Sequence, residues 1–390
     1  MKLLEIFLTF LRLGLTAFGG PIAHLSYFHE EFVKKKKWLD EHSYADLVAL
    51  CQFLPGPASS QVGMAIGLNR SGLLGALAAW LGFTLPSAVL LIMFGLGMTY
   101  FNLQSHHNIL HGLKIVAVSV VAHAIYGMWR KLCPDMGRSL IAIVSCLVLI
   151  FIKATLAPVI VLIVAGGIGA FFFKTTFVLP HTPTVRELNR KLGVCCLIIF
   201  FSLLVLLPLL RSVYPMHSLE LFDSFFRAGS LVFGGGHVVL PLLQNEVVTP
   251  GWISKDLFMA GYGLAQAIPG PLFAFTAYLG AVSELTPNGW TGGLLCLISA
   301  FLPSFLLIAG ALPFWEKLRT FSHIRQSMLG INASVVGLLL AAFFHPVWTS
   351  AIFNLRDFLV ALVGFILLEK WKVSSWCVVL FSIFISLFIF

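Results

Sequence analysis

The sequence predicts an all-α integral membrane protein: two homologous repeats in inverted orientation, whose broken or re-entrant helices meet at the membrane midplane. Three observations carry that expectation: an apolar composition, a chain that repeats itself, and Gly-Gly and Pro-Gly-Pro breaks at matched positions of the two repeats.

Of 390 residues, 59% are hydrophobic and only 11% charged, with a mean hydropathy of +0.96. A soluble domain carries about 25% charged residues. Apolar runs of membrane-crossing length recur over residues 73–100, 109–129, 192–210 and 290–313, so the bilayer is the solvent for most of the chain. The opening residues look like a secretory signal, but Arg12 interrupts the apolar stretch and a closely similar segment returns near residue 220. They therefore read as structure. The net charge of +9 is spread over loops and helix ends, with one lysine run at 34–37. That pattern fits positive-inside loops, and without a sizeable aqueous domain no nucleic-acid partner is expected. The seven cysteines lack C-x-x-C spacing and read as small core residues.

The repeat is legible by eye. Phe7, Arg12, Gly14 and Phe18-Gly-Gly20 line up with Phe222, Arg227, Gly229 and Phe233-Gly-Gly235, and Glu5 falls on Glu220. After a one-residue gap, Trp38 matches Trp252, and Gln52-Phe-Leu-Pro-Gly-Pro57 matches Gln266-Ala-Ile-Pro-Gly-Pro271. Leu85-Pro-Ser87 then matches Leu302-Pro-Ser304, Gly112 matches Gly330, and Arg138 matches Arg356. The expected organisation is a first membrane repeat (1–174), a polar linker with one extra transmembrane helix (175–217) and a second membrane repeat (218–390). If each repeat crosses an even number of times, the extra helix inverts the second, which is a transporter architecture. Whether segments 3–33 and 42–67 cross or re-enter stays open. The pieces beside the second break are about 11 residues, roughly 16 Å, which reaches only the middle of the core. Re-entrance also keeps the lysine run on the cytoplasmic side, as the positive-inside rule prefers.

The breaks are the informative sites. Proline is favoured at the first helical position, so each Pro-Gly-Pro, with Gly56 or Gly270 at its centre, starts a helix. The N–H groups of Ala58, Ser59 and Ser60, and of Leu272, Phe273 and Ala274, then point off a positive helix end suited to an anion. The first tip adds Ser59, Ser60 and Gln61, so it is expected to hold most of a substrate's oxygens; the second is apolar. Packing kinks are the structural alternative. The glycine pairs Gly19-Gly20 and Gly234-Gly235 are expected beside these tips. Arg12 and Arg227 lie in apolar stretches, where a charge is costly and suggests function, and two guanidiniums suit a tetrahedral dianion. Local pairing with Asp223, Glu5 or Glu220 is the alternative. Lys114 and Asn332 occupy corresponding positions, Gln52 and Gln266 precede the tips, and His24 and His237 follow the glycine breaks; all are candidate substrate contacts. No P-loop, zincin, Cys/His cluster or Gly-x-Ser-x-Gly is present, so no cofactor, metal or catalytic residue is expected.

At Phe18-Gly-Gly-Pro-Ile-Ala-His24, at Gln-x-x-Pro-Gly-Pro in each half, at Phe233-Gly-Gly-Gly-His237 and at Ala277-Tyr-Leu-Gly280, the sequence resembles the chromate ion transporters in their long, two-domain form. The resemblance implies efflux of chromate across the bacterial inner (plasma) membrane, conferring resistance, with sulfate as a look-alike substrate. The expected partners are the oxyanion and the lipid bilayer, and a homodimer is allowed. Physics favours export, since two negative charges moving outward gain roughly 4.6 kcal/mol per 100 mV. Membrane potential or anion exchange suffices as a driving force. A sulfate or other oxyanion importer, and a channel or membrane-embedded enzyme, are the competing readings.

Overall fold

A chain this apolar must satisfy its backbone polar groups within the protein, which in a single chain favours helices. The computed structural model describes residues 2–100, 107–152, 157–173, 189–233, 236–318 and 321–389, and all regular structure among them is helical. In chain order the helices are α1 (Lys2–Thr16), α2 (Gly20–Phe28), α3 (Glu41–Phe53), α4 (Ala58–Tyr100), α5 (His107–Leu132), α6 (Met136–Phe151), α7 (Ala157–Phe172), α8 (Arg190–Val213) and α9 (His217–Leu231). There follow α10 (Val239–Val247), α11 (Lys255–Ala265), α12 (Phe275–Ala281), α13 (Gly289–Ala311), the short α14 (Trp315–Leu318), α15 (Ser322–Ala342), the short α16 (Thr349–Ala351), α17 (Leu355–Glu369) and α18 (Ser375–Ile389). Among the described residues, five stretches are long and apolar enough to cross a membrane: Ala58–Met98, Asn108–Leu132, Arg190–Val213, Gly289–Phe314 and Ser322–Ala351. Of the expected polar linker, residues 174–188 lie outside the described residues.

The first four helices form hairpins that return to the end from which they start. A π-helical stretch, His29–Lys35, continues α2, and Lys36 then pairs with Glu5 at 3.0 Å. Asp40 caps α3 by accepting from the Ser43 N–H at 2.8 Å, which holds its carboxyl below the usual carboxylate range. Helix α4 is itself bent back at Ser71 and Gly72, where Gly72 has φ 66°, a left-handed value that suits glycine. A Cβ on Gly67 would strike the Gly75 carbonyl, so residues 58–70 lie antiparallel to the long arm that follows. The short arm ends with Arg70 over the Trp38 ring at 5.1 Å. The second half does the same: the His217 ring meets Trp252 at 4.9 Å, Glu284 donates its N–H to the Trp252 carbonyl at 3.0 Å, and α12 lies against α13 through Gly280 and Gly292.

The two sequence halves interleave. α5 packs against α17 and α18, whereas α15 packs against α6 and α7. Gly112 sits on Ser382 and Ser386 of α18, and its repeat partner Gly330 sits on Ala165 and Gly169 of α7. α5 and α17 run in the same direction: His111 bonds Asp357 at 2.8 Å, Ser119 donates to the Ala361 carbonyl at 2.8 Å, and His123 pairs with Glu369 at 3.1 Å. α8 packs on α9 and α13 and leaves Ile198, Phe201, Val205 and Leu209 exposed, a face for lipid.

Close backbone approach at small residues is the expected glue between helices in a bilayer. A Cβ on Gly169 would come to 2.5 Å from the Gln326 carbonyl, whereas one on Gly167 would meet nothing within 4 Å. Gly169→Ala should cost about 1–3 kcal/mol by overpacking, and Gly167→Ala should be neutral or stabilising by up to about 1 kcal/mol. Thermal unfolding of the detergent-purified variants will show the opposite signs.

Candidate functional site

The tips of the hairpins meet, and they meet across the halves. Helix α1 ends at Thr16, and Gly19, with φ 100°, caps α2 in the left-handed region. Gly56 has φ 129° and Gly270 φ 97°. The Gly56 N–H donates to the Val232 carbonyl at 2.6 Å, and the Gly270 N–H donates to the Ala17 carbonyl at 3.0 Å. Ala17 and Val232 are repeat partners, as are Gly56 and Gly270, so each Pro-Gly-Pro is tied to the glycine break of the other half. A Cβ on Gly56 would approach Ser304, and one on Gly270 would approach Ser87; those serines are repeat partners too.

At this junction lies a cavity of about 300 Å³, at the lower end for small-ligand pockets. The first half supplies Gly19, Gly20, Pro21, Gln52, Gly56 and Ala58; the second supplies Gly236, His237, Gln266, Gly270, Leu272 and Asn332, with Ser375 at the start of α18. One face of α5, made by Val120, His123, Ala124, Gly127, Met128 and Lys131, closes the wall. No carboxylate lines it among the described residues. The first bond of α4 runs from the Gln61 N–H to the Pro57 carbonyl at 2.9 Å, so the N–H groups of Ala58, Ser59 and Ser60 have no acceptor inside the helix. The second tip is tighter. Leu272–Ala274 is a 3-10 turn in which the Ala274 N–H already bonds the Pro271 carbonyl at 2.9 Å, which corrects the expectation that Ala274 is free. The Gln266 Nε2 and Asn332 Oδ1 atoms are buried with no partner among the described residues, a cost the protein bears only where something else satisfies them.

Of the residues singled out from the sequence, Gly19, Gly20, Gln52, Gly56, Ala58, His237, Gln266, Gly270, Leu272 and Asn332 thus come together. Gly234 and Gly235 lie outside the described residues. His24 is buried behind the wall, its ring nitrogens 3.3 Å from Ser59 Oγ and 3.2 Å from the Ala17 carbonyl. Gln61 donates to the Pro55 carbonyl at 2.6 Å, and Ser60 and Phe273 are buried away from the cavity lining. The polar first tip therefore braces the break from behind.

The arginines are placed elsewhere. Arg12 pairs with Glu31 and keeps a side chain 61% exposed. Arg227 bonds Asp223 at 3.0 Å and both Glu246 oxygens at 3.1 and 3.0 Å. Neither lines the cavity, and neither does Lys114, which pairs with Asp256 at 3.0 Å. The expected convergence of guanidiniums on the substrate gives way to local neutralisation, because the returning helix of each hairpin brings a carboxylate, Glu31 or Glu246, beside them and Asp223 lies one turn before Arg227 on its own helix. His123 and Lys131 were missed. Their spacing with Ala124 and Gly127 marks one helical face carrying two small residues, a lysine and a titratable histidine, a signal present in the sequence.

The family described as Chromate transporter matches residues 4–170 and 219–387. An uncharacterized transporter of Methanocaldococcus jannaschii is 29% identical over 97% of this chain and 92% of its own length. Chromate transport proteins of Pseudomonas aeruginosa and Cupriavidus metallidurans are 27% and 26% identical, over 86% and 95% of this chain and 79% and 89% of their own. No solved structure matches.

The two arginines should differ on substitution. Arg227→Gln leaves the buried Asp223 with Arg211 alone, at 3.4 Å, removes both bonds to Glu246, and should destabilise by roughly 3 kcal/mol. Arg12→Gln leaves Glu31, whose side chain is only 6% exposed, without its guanidinium, and should cost less, roughly 1–2 kcal/mol, because water reaches the pair from the exposed Arg12 side. Yield and melting temperature in detergent distinguish them; a stable Arg227→Gln protein that no longer transports would instead restore that arginine to the substrate path.

Proposed function

The chain belongs to the chromate transporter family, and on that premise we propose that it is a secondary transporter exporting chromate from the bacterial cytoplasm, driven by the membrane potential or by exchange for another anion. The observation that carries this reading is the cavity, where helix N-termini, amides, His123, His237 and Lys131 surround one space with no carboxylate in its lining among the described residues. Helix N-termini and cationic side chains in a low-dielectric site favour an anion over any cation or neutral solute. The names of the Pseudomonas and Cupriavidus relatives point to chromate as that anion.

The topology that fits this role is an inverted repeat with re-entrant hairpins. The pairing of Lys36 with Glu5 and of Arg70 with Trp38 supports hairpins whose polar ends share the face of the lysine run, the cytoplasmic one by the positive-inside rule. Counting crossings onward from there, α5 and α17 both descend toward the cytoplasm, in keeping with their parallel run. The second pair of hairpins then enters from the opposite face. In this arrangement Lys131, at the end of α5, and Ser375, at the start of α18, form the cytoplasmic mouth. Chromate loads from inside, and its outward passage gains roughly 4.6 kcal/mol per 100 mV.

Energised cells expressing the protein should accumulate severalfold less chromate than control cells. Lys131→Gln and Gln266→Leu should each remove most of that difference at unchanged protein level, and excess sulfate should compete if the site reads only charge and shape. Raised accumulation would make the protein an importer. Unchanged accumulation would mean that chromate is not its substrate.

A further inference from the structure

His123 stands where two faces of α5 meet. On one side it lines the cavity with Val120, Ala124 and Gly127. On the other, α5 packs along α17 through the Ser119–Ala361 hydrogen bond and the edge contact of Tyr126 with Phe365, and there the His123 Nε2 lies 3.1 Å from Glu369 Oε2. Glu369 ends α17, with its other oxygen 3.6 Å from the Lys372 ammonium. The other titratable and charged groups around His123 are His237, which faces it across the cavity, and Lys131 two turns along the same helix. A carboxylate near the cavity is what the sequence failed to show, because Glu369 comes there only through the packing of α17 on α5.

A neutral imidazole has one N–H and one acceptor nitrogen. The ionised Glu369 can only accept, so it takes that N–H at Nε2 and leaves Nδ1 as a lone pair, which repels an anion. Only the imidazolium keeps Glu369 and still has a donor, and a positive charge, for the cavity. We propose that the His123–Glu369 pair is a proton-binding site coupled to the anion: binding of a dianion in the cavity draws one proton from water onto the His123 ring, so the occupied site carries one proton with each anion, and a proton that travels with it leaves one net negative charge, not two, for the membrane potential to drive outward. Proton release from His123 then leaves the anion facing a lone pair and promotes its dissociation. This deepens the exporter reading and rests on it.

The contrast within the same helix pair is informative. His111 makes an equivalent bond to Asp357 at 2.8 Å, but Asp357 is fully buried and also accepts from the Phe353 and Asn354 N–H groups. His111 is not among the residues lining the cavity, so its clasp serves to hold α17 and has no anion to answer.

The test is direct binding to the detergent-purified full chain between about pH 5.5 and pH 8.5, which brackets the ordinary histidine value. Selenate, which remains a dianion throughout, serves as probe beside chromate, and proton uptake is read with a pH indicator in weak buffer. The wild type should take up close to one proton per selenate bound, and its Kd should rise by up to tenfold per pH unit on the alkaline side. The binding that His123→Gln and Glu369→Gln retain should be weaker than wild type at acid pH and should lack the pH slope and the proton uptake, while His111→Gln retains both. Binding without proton uptake in the wild type, or an unchanged slope in His123→Gln, overturns the proposal and leaves the exporter reading standing. If neither anion binds at any pH, the anion site itself is wrong and the coupling falls with it.

Discussion

Two backbone hydrogen bonds, from the Gly56 N–H to the Val232 carbonyl and from the Gly270 N–H to the Ala17 carbonyl, are the constraint on which the rest of the molecule depends. A broken helix in an apolar medium leaves donors and acceptors with no water to satisfy them, at several kcal/mol apiece. Here each break supplies what the other lacks. The exchange fixes the two halves at their tips, and the positive φ of Gly56 and Gly270 lets the chain turn closely enough to make it. Within the first half, His24 ties the glycine break to the helix start, since its ring reaches the same Ala17 carbonyl and the Ser59 hydroxyl at once. What remains unpaired at the junction among the described residues includes the Gln266 Nε2 and Asn332 Oδ1 atoms, and the cavity is bordered by the two helix starts at Ala58 and Leu272.

The two halves share a scaffold and differ in chemistry. Lys114 and Asn332 occupy one repeat position, yet Asn332 lines the cavity while Lys114 is spent on Asp256. The first tip is a regular helix start backed by Ser59, Ser60 and Gln61; the second is a 3-10 turn, apolar, with one fewer free N–H. A strictly symmetric pair would present the same site to each face of the membrane. The asymmetry gives the junction one polar wall, on α5, to which nothing in α15 but Asn332 corresponds.

Much of this was legible in the sequence because it is local. Helix starts at Pro-Gly-Pro, the glycine positions and the repeat register all follow from neighbours in the chain, and half of the candidate site residues followed from them. The misses are long-range. For Arg12 the partner visible nearby is Glu5, which pairs with Lys36 instead, and Glu31 reaches Arg12 only because α2 doubles back; Asp223, four residues from Arg227, is visible in the sequence, and Glu246 is not. Glu369 and His123 are far apart in sequence and meet only through the interleaving of the halves. Periodicity along one helix could have found the α5 face, but no local pattern says which helix that face will meet.

The placement of the arginines has its own logic. A transporter has to release what it binds, and two fixed guanidiniums in a low-dielectric cavity would hold a dianion by charge-assisted, bidentate bonds among the strongest proteins make. Tying Arg12 to Glu31 and Arg227 to Asp223 and Glu246 turns both into struts of their hairpins and takes their charge off the substrate. The lining is left with neutral amides, helix ends, one lysine at its edge and histidines whose charge is conditional. On the proposed reading, such a set attracts an anion enough to admit it and, when a histidine loses its proton, weakly enough to let it go. The same reasoning explains why Glu369 stands behind His123 and not in the lining: a carboxylate facing the cavity would exclude the anion, whereas one a hydrogen bond away orients the ring that meets it.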